Sequence, residues 1–459
     1  MQVSDFKNKK VLVMGLGVLG GGLATTKWLV KHGAKVTVTD LKTRQELASS
    51  IKQLGKLNKQ IIFTLGKHLI SDFQNNEIIV VNPAVPRQST FLKIAKKNGA
   101  QLENEASIFF RVCRNPIIAV TGTRGKTTTV NWIFHLLKTK YKKTVLTGNS
   151  SDNPMLGVLD GLDGKNPVVV ELSSWQLELL PRSNRAPHIA VITNIYRDHM
   201  NRYKTMRAYA LAKANISKNQ NKNDYLILNK NNQWTNFFLK LKPKSKTLYF
   251  QDNKITSKSF QKEFGAVYGK HNLDNLNIAL LVAKLTGVSN NVIKRAIKEL
   301  PQVKFRQEEI IKNKKFRVIN DSTATSPDAT IAVIKRFASP PAGGEVILIT
   351  GGTDKNLEFG EWAKVVKKHI RPENLYLLNG SATKKIIKEL QKIKYFKKEK
   401  PQLFENLPVL LKTMKLKVKI YKPPIIILFS PSSTSFEKFK NEFDRGEKFN
   451  LYSKSVLQK

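Results

Sequence analysis

The sequence is poor in cysteine and contains no zinc-binding pattern, and both shortages narrow the class of protein. Its 459 residues include a single cysteine, Cys113, so a disulfide bond within the chain cannot form. No cluster of cysteine and histidine residues has the spacing of a zinc site. A chain that does not depend on disulfide bonds suits a reducing compartment, and we therefore expect a cytoplasmic protein.

Long apolar runs are also missing. The basic residues near the start, followed by the apolar residues 11–24, superficially resemble a signal peptide, but five glycines interrupt that stretch. A strand, a turn and a helix explain the same residues better. Apolar stretches elsewhere, such as residues 425–429, are far too short to cross a bilayer. We expect no insertion into a membrane.

Acidic residues are scarce as well. The chain has 34 Asp and Glu residues against 79 Lys and Arg residues, which gives a formal net charge of +45. Such a charge by itself suggests a polyanionic partner such as nucleic acid. The lysines are nevertheless spread along the whole chain, without a basic tail and without interleaved aromatic residues. We therefore favour a solvated surface rich in lysine, and a basic nucleic-acid-binding ATPase stays as an alternative function.

Alternating strand and helix patterns predict an α/β protein of three domains, because 459 residues are too many for one hydrophobic core. Residues 1–111 begin with a strand, a glycine turn, a helix and a second strand, which is typical of a Rossmann-like domain. Residues 112–302 predict a central parallel sheet of the P-loop ATPase type. Residues 303–459 alternate strands and helices again and predict a second Rossmann-like domain.

The strongest local signal is the segment T-G-T-R-G-K-T-T-T at residues 121–129, between a predicted strand and a predicted helix. Glycines let backbone N–H groups approach phosphate oxygens, and the helix N-terminus adds positive potential. Lys126 can reach the β- and γ-phosphates of ATP, and the Thr127 hydroxyl can bind Mg²⁺. An ordinary glycine turn is the alternative interpretation. The predicted ATP contacts of this loop are Gly122, Thr123, Gly125, Lys126, Thr127 and Thr128.

Two more segments follow predicted strands of the same domain. In E-L-S-S-W-Q-L-E, residues 171–178, the Glu171 carboxylate is a candidate Mg²⁺ ligand or an acid that stabilises a helix N-terminus. In T-N-I-Y-R-D-H-M-N-R-Y, residues 193–203, His199 could bind a second Mg²⁺ or hold an acyl substrate. A lone histidine, however, is more often structural.

These three segments, in this order, resemble the central domain of the Mur ligases, and the resemblance extends over nearly the whole chain. It implies a ligase that forms an amide bond and uses ATP and Mg²⁺. In that family a lysine that carries a carbamate follows the D-H pair, and Y-A-L-A-K at residues 209–213 fits this pattern. The resemblance therefore implies that Lys213 is a further metal ligand. It also implies substrate contacts at Asn149, Ser173 and His199.

The nucleotide contacts outside the phosphate loop come from the same resemblance. Asn272 and Asn275, in the segment G-K-H-N-L-D-N, would lie near the adenine of ATP. Interpreted from the residues alone, the two asparagines are a helix N-cap and a solvent-exposed polar residue. Arg306 would face the phosphates of ATP, and Asp321 would face the ribose hydroxyls.

The first domain carries G-L-G-V-L-G at residues 15–20 and an aspartate, Asp40, after the second predicted strand. This pattern satisfies a weak dinucleotide-binding fingerprint. The resemblance implies instead that the domain holds the UDP part of a nucleotide sugar, with Gly17 and Asp40 among its contacts. The helix N-terminus would face the diphosphate, and Asp40 or Lys42 would face the uridine.

The third domain carries the predicted acceptor site. The segments G-G-T-D-K at residues 351–355 and S-P-S-S-T-S at residues 430–435 resemble those that bind the incoming amino acid. The implied contacts are Thr325, Lys355 and Ser435. The substrates would then be UDP-N-acetylmuramoyl-L-alanine and D-glutamate, joined through an acyl phosphate during peptidoglycan synthesis. A related ligase with another acceptor amino acid is the alternative, and we expect a monomer.

Overall fold

A computed structural model of the protein describes residues 3–18, 20–149, 153–252, 256–269, 272–338, 345–397, 399–418, 421 and 423–458. Its strands are β1 Lys10–Met14, β2 Lys35–Asp40, β3 Ile61–Leu65, β4 Ile78–Val81, β5 Gln101–Glu103, β6 Ile117–Thr121, β7 Val145–Gly148, β8 Val168–Glu171, β9 Ile189–Ile192, β10 Tyr225–Leu228, β11 Lys246–Tyr249, β12 Glu308–Lys312, β13 Phe316–Asn320, β14 Glu345–Thr350, β15 Leu375–Leu378, β16 Gln402–Phe404 and β17 Ile425–Phe429. Its helices are α1 Gly21–Lys31, α2 Ala48–Leu54, α3 Ile70–Gln74, α4 Thr90–Lys97, α5 Glu105–Val112, α6 Lys126–Lys138, α7 Met155–Val158, α8 Ser174–Leu177, α9 Met200–Tyr203, α10 Met206–Ala214, α11 Thr235–Lys240, α12 Lys258–Tyr268, α13 Asn272–Leu285, α14 Asn290–Ala296, α15 Pro327–Phe337, α16 Gly360–His369, α17 Ser381–Lys392, α18 Leu407–Val418 and α19 Glu442–Leu457.

The chain divides into two units. The first comprises Met1–Ile255 with Asp274–Pro301, and the second comprises Thr256–Leu273 with Gln302–Lys459. Among the described residues, the first unit contains two β-sheets and the second unit contains a third. The predicted α/β class with three sheets is confirmed, whereas the division at residues 111 and 302 stays a prediction.

The first sheet contains β1 to β5 in the order β3-β2-β1-β4-β5, and all its strands are parallel. Short runs of valine and isoleucine form β1 and β4, which are buried along nearly their whole length, as expected for a parallel sheet covered on both faces. The chain leaves β1 toward β2 on one side and later returns to β4 on the other. The topological switch point, where ligands bind in such sheets, therefore lies between β1 and β4.

The second sheet contains β6 to β11 in the order β11-β10-β9-β6-β8-β7, again all parallel. Strand β6 is buried throughout and lies between β8 and β9, so that Ala119 pairs with Val170 on one side and with Ala190 on the other. Because the strands run in the same direction, β6, β8 and β9 end at one edge of the sheet. Their last residues are Thr121, Glu171 and Ile192.

Helix α5 joins the first sheet to the second within the first unit. Its N-cap, Asn104, accepts a hydrogen bond from Ser107 N at 2.8 Å and donates one from Nδ2 to the Gln176 carbonyl at 2.9 Å. Phe109 and Phe110 of the same helix are fully buried in an apolar cluster that contains residues of both sheets. The segment that follows β8 is therefore held against the end of β5.

The third sheet contains β12 to β17 in the order β12-β13-β17-β14-β15-β16, with β12 antiparallel and the other pairs parallel. Alternate residues of its strands enter two apolar clusters, one on each face, such as Leu428 with Trp362 and Ile427 with Met414. No helix in the described residues is long and apolar enough to span a membrane.

Candidate active site

The turn between β6 and α6 is a place where two glycines are required. Gly122 has a φ of +147° and Gly125 a φ of +81°, conformations that favour glycine. A Cβ at Gly122 would lie 1.9 Å from Thr193 Oγ1, and one at Gly125 would lie 2.2 Å from Asn275 Oδ1. The side chains of Thr193 and Asn275 therefore occupy the space that a side chain at Gly122 or Gly125 would need.

The segment after β9 fixes this turn through hydrogen bonds. Arg124 N donates to Asn194 Oδ1 at 2.9 Å, Thr193 Oγ1 donates to the Arg124 carbonyl at 2.7 Å, and Thr123 N donates to the Asn194 carbonyl at 2.9 Å. Thr129 of α6 donates to Asn275 Oδ1 at 3.1 Å. The sequence did not indicate these contacts, because their partners are about 70 and 150 residues apart.

Asn275 is 6% exposed and belongs to this arrangement. The alternative interpretation of Asn275 as a solvent-exposed polar residue is therefore wrong. Its Oδ1 accepts from Thr129, and the same atom is what a side chain at Gly125 would meet. Asn275 thus lies beside the turn predicted to hold the phosphates of ATP.

Glu171 ends β8 at the same edge of the sheet and is 6% exposed. Its Oε1 accepts a hydrogen bond from Asn149 Nδ2 at 3.4 Å, and its carbonyl accepts from Asn149 N at 2.8 Å. Ser173, two residues on, caps α8 through a reciprocal pair of hydrogen bonds with Gln176. The structure therefore brings Glu171 and Asn149 together, while their roles as metal ligand and substrate contact stay predictions.

Lys213 of α10 lies under the glycine turn. Its side chain is 1% exposed, and Nζ donates to the Gly122 carbonyl at 2.9 Å and to Thr121 Oγ1 at 3.3 Å. Burial, followed by the positive charge of Lys126, holds the pKa of Lys213 well below its usual value. The buried amine therefore lies among the hydroxyl and carbonyl oxygens at the end of β6.

Lys126, the first residue of α6, lies at the same turn, with Nζ 3.3 Å from the Thr123 carbonyl. Thr127 and Thr128 follow in the first turn of α6. The N-terminus of a 13-residue helix gives this position positive potential. The residues predicted to bind phosphate thus lie on one turn and at one helix end, and phosphate binding itself stays a prediction.

His199 follows β9 with a φ of +56°, a left-handed conformation that is uncommon for histidine. Its backbone N–H donates to Asp198 Oδ1 at 2.9 Å. The imidazole ring lies 5.5 Å from the Trp175 ring and 6.0 Å from the Tyr209 ring, measured between centroids. Backbone strain of this kind is retained at functional sites when the surroundings enforce it.

Gly17 and Asp40 meet at the carboxyl ends of β1 and β2, beside the switch point of the first sheet. Gly17 N donates to Asp40 Oδ2 at 3.0 Å, and Lys42 N donates to Asp40 Oδ1 at 2.9 Å. Asp40 is 8% exposed and ends β2, and Gly17 lies in the turn after β1. The sequence correctly placed both residues at the carboxyl ends of adjacent strands.

The second unit contains the remaining predicted residues. Asp321 follows β13 and accepts hydrogen bonds from Gln307 N and Ser430 Oγ, both at 3.1 Å. Burial raises the pKa of Asp321 to about 7. Ser435 is 3% exposed in the segment after β17. The other predicted residues of this unit are Asn272, Arg306, Thr325 and Lys355.

A buried arginine supports the predicted acceptor segment. Arg445 of α19 is fully buried and donates to Ser322 Oγ at 3.1 Å and to the Ser433 and Thr434 carbonyls at 3.1 and 3.0 Å. No local pattern indicates these contacts, because Ser322 lies 123 residues from Arg445 in the sequence. Its hydrogen bonds hold the segment that ends at Ser435.

Comparison with known proteins agrees with this geometry. Residues 120–283 match the family model described as the Mur ligase middle domain, and residues 9–103 match the Mur ligase MurD-like N-terminal domain. The chain is 37% identical to a protein of Borreliella afzelii (strain PKo), and the alignment covers 98% of each. The chain therefore belongs to the Mur ligase family.

The names of the relatives are specific. The Borreliella afzelii protein is called UDP-N-acetylmuramoylalanine--D-glutamate ligase. A protein of the same name from Roseiflexus sp. (strain RS-1) is 34% identical, with 96% of this chain and 97% of that protein covered.

Solved structures share the fold at low identity. A pseudomurein peptide ligase type C from Methanothermus fervidus is 18% identical, with a TM-score of 0.53 and coverage of 98% of this chain and 99% of that one. The MurF ligase from Thermotoga maritima, in complex with ADP, is 14% identical, with a TM-score of 0.55 and coverage of 99% and 96%.

Proposed function

We propose that this protein is an ATP-dependent acid–amino-acid ligase that adds D-glutamate to UDP-N-acetylmuramoyl-L-alanine in peptidoglycan synthesis. Its family membership and its nearly full-length similarity to enzymes named for that reaction support the proposal. The observation that carries it is the meeting of a glycine turn, Lys126, Glu171 and the buried Lys213 at one edge of the second sheet.

The reaction has two steps. A carboxylate oxygen of the alanyl group attacks the γ-phosphorus of ATP, the bond from that phosphorus to the bridging oxygen breaks, and ADP leaves an acyl phosphate behind. Negative charge then gathers on the bridging oxygen, so the Lys126 ammonium and the N-terminus of α6 stabilise the transition state. The amine nitrogen of D-glutamate next attacks the acyl carbon, phosphate leaves, and the amine gives up a proton to form the amide.

Magnesium fits the oxygen donors at this edge. Mg²⁺ is commonly held by one or two carboxylates together with substrate phosphates. The Glu171 carboxylate and the Thr127 hydroxyl offer two oxygen ligands. The described part of the chain contains no group of three or more His, Cys, Asp or Glu residues that could hold a metal ion. ATP phosphates, His199 and a carbamate on the amine of Lys213 would complete the ligands. Bound Mg²⁺ would neutralise charge on the phosphates.

The substrate contacts divide by position. Backbone groups near Gly17 and the Asp40 carboxylate would hold the UDP part at the switch point of the first sheet. Asn149, Ser173 and His199 would face the muramoyl-alanine part. The proposed adenosine and phosphate contacts beyond the turn are Asn272, Asn275, Arg306 and Asp321. The proposed D-glutamate contacts are Thr325, Lys355 and Ser435.

Release of ADP tests the proposal directly. Purified protein is mixed with ATP, Mg²⁺ and UDP-N-acetylmuramoyl-L-alanine, with and without D-glutamate, and with a panel of other amino acids. We expect release only when D-glutamate is present. Release with a different amino acid would reassign the acceptor. Release that needs DNA or RNA, and no amino acid, would contradict the ligase and favour the nucleic-acid alternative.

A further inference from the structure

We propose that Glu178 is a positioning residue of the ligase reaction, which sets the orientation of the His199 imidazole through two chains of side-chain contacts. The inference rests on the proposed function for its kinetic part. Glu178 closes the segment E-L-S-S-W-Q-L-E, and its side chain is 5% exposed.

Three side chains converge on the Glu178 carboxylate. Arg202 donates from Nε to Oε1 at 3.0 Å and from Nη2 to Oε2 at 2.8 Å, a bidentate pair. The Tyr203 hydroxyl donates to Oε1 at 2.8 Å. Arg87 Nε lies 2.7 Å from Oε2. A buried carboxylate with this many charged and polar donors holds each of them in a defined place.

The first chain of contacts runs through Arg202. The Arg202 guanidinium lies 4.8 Å from the centroid of the Trp175 ring, in a cation–π contact. The Trp175 ring in turn meets the His199 ring nearly edge-on, at 5.5 Å and an interplanar angle of 66°. Loss of the Arg202 contact would therefore leave the Trp175 ring beside His199 less firmly held.

The second chain runs through Tyr203. Its ring lies 5.3 Å from the Tyr209 ring, and the Tyr209 ring lies 6.0 Å from the His199 ring. Lys213 Nζ lies 4.8 Å from the centroid of the same Tyr209 ring. Glu178 thus supports both aromatic neighbours of His199, and one of these neighbours also touches Lys213.

Arg87 extends the arrangement to the first sheet. It lies in the segment after β4 and is half exposed, whereas Glu178 and Arg202 follow strands of the second sheet. The ion pair between Arg87 and Glu178 therefore ties the proposed UDP-binding sheet to the residues around His199. Because Arg87 is half in solvent, its ion pair contributes much less than the buried pair with Arg202.

The test compares two isosteric changes of buried carboxylates. Glu178→Gln removes the charge that holds Arg202, and Glu103→Gln removes the charge of a fully buried glutamate that pairs with Arg111 in the same unit. We expect Glu178→Gln to lower kcat about tenfold, by loss of a charge-assisted bidentate contact, and Glu103→Gln to leave kcat unchanged at a similar loss of thermal stability. Arg87→Gln should raise the KM for the nucleotide sugar about two- to fivefold with kcat unchanged.

A second readout needs no substrate. The imidazole signals of His199 in the NMR spectrum can be identified by their loss in His199→Asn. We expect the ring current of Trp175, whose ring centroid lies 5.5 Å away, to shift them. We expect Glu178→Gln to move these signals and Glu103→Gln to leave them in place. If Glu178→Gln does not fold, Arg202→Lys carries the same test, because lysine keeps the charge but loses the bidentate geometry.

The outcomes separate the two proposals. Moved His199 signals together with a lowered kcat support the positioning role. Unmoved signals, or moved signals with an unchanged kcat, overturn it. If the wild-type protein releases no ADP with any amino acid, the proposed function fails, and the His199 signals alone decide whether Glu178 orients the ring.

Discussion

The first and the second sheet each place a glycine turn between a central strand and the next helix, but the two turns face opposite charges. At the turn after β1, Gly17 N–H donates to the Asp40 carboxylate at 3.0 Å. At the turn after β6, the helix begins with Lys126, whose Nζ lies 3.3 Å from the Thr123 carbonyl.

Under the proposed function, this difference lets one topology serve two purposes. A diphosphate that is only held needs little beyond backbone N–H groups and a helix N-terminus. A phosphoryl group that is transferred gathers negative charge in the transition state and needs cations placed in advance. The strand order places both turns, and under the proposed function the side chains decide which turn performs chemistry.

The largest expected effect on kcat comes from removing the positive charge of Lys126 at the turn after β6. Lys126→Ala should lower kcat for ADP release about 10²- to 10³-fold, because the ammonium that stabilises the transferred phosphoryl group is lost. Lys138→Ala, at the exposed end of the same helix, is the matched control and should keep full activity. If the kcat of Lys126→Ala were within threefold of the wild-type value, the two turns would not differ in the way we infer.

The next effect concerns the packing of the second turn. Gly122→Ala should lower the free energy of unfolding by about 3 kcal/mol, since the new Cβ would meet Thr193 Oγ1 and the φ of +147° strains any other residue. Urea denaturation measures this loss. Adding Thr193→Ala removes the atom in conflict and should restore part of the stability, whereas strict additivity of the two losses would contradict the clash.

Glu105 should make the free energy of unfolding depend on pH. Its Oε2 lies beside the first turn, 3.4 Å from the place that a Cβ at Gly21 would occupy. Burial raises the pKa of Glu105 from 4.5 to about 7, while hydrogen bonds from α7 act in the opposite direction. Between about pH 4.5 and pH 7, the Glu105 carboxyl therefore stays protonated in the folded protein but is ionised in the unfolded chain. The stability from this proton is complete below about pH 4.5 and is lost as the pH rises through about 7.

Glu105→Gln should remove this dependence. Between pH 5 and pH 8, the free energy of unfolding of the wild type should fall by about 2 kcal/mol more than that of the variant. Unfolding in urea at both pH values gives the difference. Glu46→Gln, which changes an exposed acid of the same unit, should follow the wild type. Parallel pH curves for the wild type and Glu105→Gln would show that Glu105 releases its proton at the ordinary pH.

The smallest effect is expected for the first turn itself. Gly17 has a φ of +62°, but a Cβ there would meet nothing closer than Asn82 Nδ2 at 3.7 Å. Gly17→Ala should therefore cost only the left-handed conformation, about 1 kcal/mol, in contrast to Gly122→Ala. Thermal unfolding of the two variants side by side checks the order, and a larger loss for Gly17→Ala would reverse the comparison.

The sequence located the parts of the fold that depend on neighbouring residues. Buried strands such as β4, β9 and β17 are short apolar runs closed by turn residues, a pattern that indicates a strand from neighbouring residues alone. The short strands β5 and β7 were not predicted, because their sequences, Q-L-E and V-L-T-G, lack a continuous apolar run. The pattern of the glycine turn is likewise local, whereas Lys213 was indicated only by the resemblance to known ligases.

The supporting contacts could not be predicted in this way. Asn194 fixes Arg124 across 70 residues, and Glu178 meets Arg87 across 91. Such pairings depend on strand order and register, which no single segment of the sequence specifies. The left-handed backbone of His199 is likewise imposed by its surroundings, because histidine itself prefers other conformations.

The one cysteine of the chain has a practical consequence. The Cys113 side chain is fully buried, and burial raises the pKa of its thiol to about 11, so the reactive thiolate is scarce at neutral pH. The native protein should therefore resist alkylation by maleimide reagents. A cysteine introduced at an exposed lysine, such as Lys388 on α17, would then be labelled selectively with a fluorophore, without prior removal of the natural thiol.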